Sequence, residues 1–130
     1  TLRITDYISG TASNLITTQL FRDVGAWYHF VLVYDTTQGT AANRIKLYVN
    51  GSQVTAFGTE TNPSLNADLV INSAIPHNIG RGAYSSNGYF SGYIAEINFV
   101  DGTALAPTAS TSQVLILPPS EKTLESLEIR

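Results

Sequence analysis

Ala26-Trp27-Tyr28-His29-Phe30-Val31-Leu32-Val33-Tyr34-Asp35 decides the fold class. In an extended strand successive side chains point to opposite faces. Trp27, His29, Val31 and Val33 then share one face, and Tyr28, Phe30, Leu32 and Tyr34 share the other. Large apolar groups on both faces belong to a strand in the middle of a sandwich. This reading expects Trp27 to anchor the core between two sheets. It expects His29 to be a hydrogen-bonded structural histidine on the same face.

Working outward, Asn43 to Asn50 alternates as well, with Ile45, Leu47 and Val49 opposite Arg44, Lys46 and Tyr48, and runs into Asn50-Gly51. A type I′ turn needs φ > 0 at both central residues, which Asn-Gly adopts cheaply, so a tight hairpin with a returning strand over Ser52 to Phe57 is expected. Further strands are expected over Leu2 to Ile8, Leu15 to Phe21, Leu69 to Asn72, His77 to Gly80, Tyr89 to Val100 and Val114 to Leu117. Turn signals at Ser9-Gly10, Gln38-Gly39, Asn62-Pro63, Asn87-Gly88 and Asp101-Gly102 punctuate them. The expected class is all-β, an antiparallel two-sheet β-sandwich over residues 1–117. Pro118-Pro119 then opens a connector or docking tail over 118–130, where Ser120 can cap a short helix and Leu124, Leu127 and Ile129 are the docking candidates.

Composition narrows the function classes. Of 130 residues, 43% are hydrophobic and only 13% charged, against about 25% charged in an average soluble domain. Uncharged polar residues must therefore make up most of the surface. The seven Lys and Arg are scattered singly in a chain of net charge −3, which argues against a phosphate-tracking surface and so against nucleic acid as a partner. No apolar stretch reaches the ~20 residues of a membrane-spanning helix, so membrane insertion is not expected. The absence of cysteine excludes disulfides and thiolate chemistry.

Three stretches together resemble a known family. Trp27 to Asp35 resembles the W-x-H strand of laminin-G-like and pentraxin-like domains. Arg44-Ile45-Lys46-Leu47-Tyr48-Val49-Asn50-Gly51 resembles their L-Y-V-N-G hairpin, and Phe90-Ser91-Gly92-Tyr93-Ile94-Ala95-Glu96-Ile97-Asn98-Phe99 resembles their closing strand. The resemblance, to laminin-G-like domains of the concanavalin A-like jelly-roll type, covers roughly Leu15 to Leu105. It implies a jelly roll whose first strands are not found here, and hence an incomplete domain, either a piece of a longer chain or one completed by another subunit. Within the family, Gly92 to Leu105 looks most like domains of tailed-bacteriophage tail and fibre proteins. That likeness implies a virion or extracellular setting, other assembly subunits (copies of this chain included) as partners, and a cell-surface glycan as a ligand.

The chemistry expected is recognition rather than turnover. Glucanases among the relatives use paired carboxylates, held about 5 Å apart in retaining enzymes. Here Glu96 is followed by Asn98 and Asp101, so no catalytic residue is assigned, and Glu96 is expected to be satisfied by a hydroxyl or an Arg. Calcium is the one cofactor the resemblance admits, through Asp35 and Asp101 at strand ends, although turn capping is the commoner role for such residues. Gly82 to Tyr89 has the composition of a sugar-binding loop, with Tyr84 and Tyr89 as aromatic platforms and Asn87 as a planar hydrogen-bonder. An extracellular carbohydrate-binding domain of a cellular protein is the alternative to the virion module, with a glucanase-like enzyme more remote.

Overall fold

The computed structural model describes residues 1–8, 11–23, 25–71, 73–80, 89–104 and 114–117, with the backbone alone at 7–8, 11–12 and 114–117. Its strands are β1 (Arg3–Ile8), β2 (Thr11–Thr17), β3 (Tyr28–Tyr34), β4 (Ile45–Val49), β5 (Ser52–Gln53), β6 (Phe57–Thr61), β7 (Tyr93–Ala95) and β8 (Val114–Leu117). They form two antiparallel sheets, one of order β1-β2-β6 and one of order β5-β4-β3-β8-β7. The all-β, two-sheet expectation holds, with β3 at the centre of the larger sheet.

Each sheet turns one apolar row inward. From the small sheet come Leu2, Ile4 and Leu15, and from the large sheet Phe30, Ile45, Leu47 and Val49, all buried. Phe21, between β2 and β3, fills the space between them and meets Tyr28 and Phe30 edge-on, at 5.2 Å and 85° and at 5.3 Å and 70°. Edge-to-face contact at this range suits the ring quadrupoles. Trp27 is not the anchor that the alternation suggested. It is 49% exposed, because the row of Phe30 faces inward and the opposite row faces out, so Phe21 holds the core position expected of Trp27.

Five strand expectations shift. β2 is Thr11–Thr17, not Leu15 to Phe21, since it is drawn back into register with β1 by pairs running from Arg3↔Ile16 to Ile8↔Thr11. The Ser9-Gly10 turn signal lies outside the described residues. The returning strand of the Asn-Gly hairpin pairs for two residues, Tyr48↔Gln53 and Val49↔Ser52. The chain then crosses through Val54 to Ala56 and enters the small sheet as β6, opposite β2. The turn itself is as expected, with φ +50° at Asn50 and +82° at Gly51. No strand forms at 69–71 or 77–80, and the long closing run shortens to β7.

Polar groups are also built into the interior. Thr17 is buried, and its Oγ1 accepts the Leu2 N–H at 2.9 Å while donating to the Gln19 carbonyl at 3.0 Å. Asp6 is buried on the inner row of β1 and accepts the Val70 N–H at 3.3 Å. Burial, with the Asp6 charge as a second cause, raises the Tyr34 hydroxyl well above the ordinary tyrosine range.

Candidate functional site

The outer face of the five-stranded sheet is the first candidate surface. Register places Val31 opposite Tyr48 and Val33 opposite Lys46, and Tyr48 opposite Gln53. Beyond β8, Ala95 lies in line with His29, which puts Tyr93 on the same face. Trp27, one residue before β3, continues this outer row. The face therefore carries Trp27, His29, Val31, Val33, Tyr48 and Tyr93, with Tyr93 68% exposed and the two valines half-buried. Aromatic rings displayed beside amide and hydroxyl groups form a surface that can stack on the C–H patches of a sugar or pack against another protein.

His29 is half-buried here. Both of its backbone groups bond to Asn50, while its Nε2 is buried and has no hydrogen-bond partner among the described residues. The expected side-chain hydrogen bond is thus not among the contacts seen, and the backbone supplies the anchoring instead.

At the rim of the sandwich, Asp35 caps its own turn. Its Oδ1 accepts the Thr37 N–H at 3.1 Å and the Thr37 hydroxyl at 2.6 Å, and its Oδ2 accepts the Gln38 amide at 2.5 Å. The Thr37 hydroxyl first, then Gln38, the Thr37 backbone and Lys46, hold its carboxyl below the ordinary aspartate range, against a smaller opposing effect of desolvation. Asp101 is exposed beside Gly102, whose φ is +78°. Among the described residues no three acidic or histidine side chains gather as metal ligands.

Arg44 was missed as a rim residue. Its Nε donates to the Gln38 carbonyl at 2.8 Å, Nη1 to the Pro63 carbonyl at 2.9 Å and Nη2 to the Gly39 carbonyl at 3.0 Å. The planar fork of the guanidinium suits such convergent acceptors. One cation thus ties the turn after β3 to the segment after β6.

Of the expected sugar loop, Tyr84 and Asn87 lie outside the described residues, and Tyr89 is 65% exposed. Leu124, Leu127 and Ile129 also lie outside them. Glu96 is exposed at φ +55°, and among the described residues its carboxylate has no hydrogen-bond or ion-pair partner, contrary to the expected hydroxyl or Arg. Its backbone carbonyl accepts the Asn98 amide at 3.3 Å.

The second candidate surface is a concavity beside β5, where the Val54 to Ala56 crossing leaves the large sheet. Its volume is about 420 Å³, and its described lining is mostly uncharged and polar.

No curated protein and no solved structure matches this chain significantly. A family model does: the laminin G type described as the concanavalin A-like lectin/glucanases superfamily matches residues 1–109, which contain β1 to β7 and both candidate surfaces. With most of its length so matched and its strands in two antiparallel sheets, the chain belongs to the concanavalin A-like lectin/glucanase superfamily.

Proposed function

We propose that this domain is a non-catalytic recognition module that binds carbohydrate on the outer face of its five-stranded sheet. The observation that carries the reading is the exposure of Trp27 and Tyr93 on a face that also bears Tyr48 and Gln53. Large aromatic groups left in water on a rigid sheet are suited to sugar stacking. The non-catalytic part is supported by the sequence around Glu96, where Asn98 and Asp101 replace the spacing of a carboxylate pair.

A glycan array probed with the wild-type chain and with Trp27→Ala and Tyr93→Ala tests it. Binding by the wild type, weakened about tenfold or more in either variant while each variant stays folded at the assay temperature, is expected. Binding that survives both substitutions overturns the outer-face assignment. Turnover of laminarin that disappears in Glu96→Gln overturns the non-catalytic reading.

The setting we infer is a larger extracellular or virion assembly, with neighbouring subunits as partners. One observation favours it. Within Gly92 to Leu105, the stretch read above as resembling tail and fibre domains, Ile97, Phe99 and Val100 are 41%, 61% and 44% exposed. Clustered apolar exposure of this kind suits burial against a neighbour. Sedimentation of the chain with Phe99→Ser as the comparison tests it: a concentration-dependent oligomer lost in the variant supports the setting, and a monomer at all concentrations overturns a homo-oligomeric one.

A further inference from the structure

The concavity beside β5 has a chemistry of its own. Among the described residues its polar lining is Thr18, Gln19, Asn50, Ser52, Gln53 and Thr55, and none of the lining residues is charged or aromatic. Two of these side chains are used internally: Thr18 Oγ1 donates to the Ala56 carbonyl at 3.2 Å, and Asn50 Oδ1 accepts the His29 N–H. Gln19, Ser52, Gln53 and Thr55 are exposed, and among the described residues their side chains make no hydrogen bond. Residues bearing two carboxamides and two hydroxyls, able both to donate and to accept, therefore line a space within the roughly 300–1,000 Å³ typical of small-ligand sites.

The lining is held by backbone that has little freedom to collapse into the space. The two-residue turn at Asn50-Gly51 fixes Ser52 and Gln53, and the Val54 N–H to Leu47 carbonyl bond of 2.8 Å extends the ladder into the crossing segment. Across the cleft, the Thr18 N–H and hydroxyl both bond the Ala56 carbonyl. Such preorganisation lowers the ordering cost of binding.

We propose that this cleft is a saccharide subsite for an uncharged, hydroxyl-rich sugar unit, with the adjoining sugars running past Gln53 and Tyr48 onto the outer face. The proposal rests on the carbohydrate reading above and deepens it. An ionic ligand meets no countercharge among the described lining residues, and an apolar one leaves the hydrogen-bonding capacity of the lining unused. A polyol matches both the neutrality and the mixture of donors and acceptors. Gln53 joins the cleft to the aromatic face because it is the cross-strand partner of Tyr48.

The test is an NMR titration of the 130-residue chain, with laminarihexaose, maltohexaose, mannohexaose and chitohexaose as neutral probes and sialyllactose as the charged one. At least one neutral probe should shift the side-chain amide signals of Gln19 and Gln53 and the backbone signals of Ser52 and Thr55. Gln53→Leu should weaken that probe about tenfold at unchanged melting temperature. Thr55→Val gives the same readout from a separate position if the first variant folds poorly. Shifts confined to the neighbourhoods of Trp27 and Tyr93, with full affinity in both cleft variants, overturn the cleft and leave the outer-face reading standing. Stronger shifts of the cleft signals with sialyllactose overturn the neutral specificity. If no probe moves a cleft signal the proposal fails, and the glycan array decides the broader reading by itself.

Discussion

Asn50 extends the ladder between β3 and β4 with its side chain: its Oδ1 accepts the His29 N–H at 2.8 Å, while its own N–H donates to the His29 carbonyl at 2.8 Å. Two opposed residues at a hydrogen-bonded position of an antiparallel ladder exchange both backbone bonds. At φ +50° the Asn50 backbone has already entered the turn, and the side-chain carbonyl stands in for the missing acceptor. One residue thereby serves the hairpin to β5 and the ladder to β3.

Replacing Asn50 with Gly keeps the turn and removes the acceptor, and should cost about 1 kcal/mol. Asn50→Ala adds the strain of a left-handed alanine and should cost about 1 kcal/mol more. Gly51→Val places a β-branched residue at φ +82° and should cost about 1–3 kcal/mol although nothing lies within 4 Å of its added Cβ. Urea melts of the three variants give the ranking. Equal losses for Asn50→Gly and Asn50→Ala would show that backbone strain contributes nothing there.

Phe21 and Trp27 should separate sharply in denaturant melts. Phe21→Ala empties a fully buried position between Tyr28 and Phe30 and should cost about 3–5 kcal/mol. Trp27→Ala, at a half-exposed site, should cost about 1 kcal/mol or less. A reversed order would mean that the large sheet faces the core with its other side.

Arg44→Ala releases three carbonyls from one guanidinium and should cost about 2–3 kcal/mol. Its acceptors are neutral, so the loss should change little between low and high salt, unlike that of a surface ion pair. Arg44→Lys should recover only part of it, because an ammonium cannot reproduce the fork. Melting curves at two ionic strengths check both statements.

Stability should decline at both ends of the pH scale for identifiable reasons. The Asp35 carboxyl is held below its unfolded value of 3.8, so its contribution is present above that value and is lost as pH falls toward the lower folded one. Tyr34 is raised above its unfolded value of 10.0, so the folded state holds its proton longer and stability falls as pH rises beyond that point. Asp35→Asn should flatten the acid limb of a melting-temperature profile, and Tyr34→Phe the alkaline limb. An unchanged alkaline limb in Tyr34→Phe would assign that decline to another group.

The sequence made the strand Ala26 to Asp35 legible but not its polarity. Alternation defines which residues share a face, and with large apolar groups in both rows it cannot say which row meets the other sheet. The intrusion of Phe21, a residue outside any strand, settles that question in three dimensions. The Asn50-Gly51 turn was legible because its chemistry is local. The departure of the chain at Val54 was not, since a strand that changes sheets keeps the same local pattern. β2 was misplaced for a related reason: Ser13 and Thr17 occupy buried positions, and polar residues on the inner row break the alternation by which a strand is read from sequence. Arg44 left no signal because its acceptors come from two turns far apart in sequence. The cleft was invisible because its uncharged polar residues look like ordinary surface until the crossing segment curves them around one space.

The placement of β8 between β3 and β7 has a consequence in time. Tyr28 pairs with Ile116, a partner roughly ninety residues later in the chain, and closing so long a loop delays the contact. β3 can join β4 early, across a short connection, but its other edge stays unsatisfied until residues 114–117 have left the ribosome. During that interval a central, strongly apolar strand is open to pairing with other nascent chains. The yield of soluble protein should therefore depend on how quickly the last strand arrives, and slower growth at low temperature or a chaperone that shields β3 should raise it.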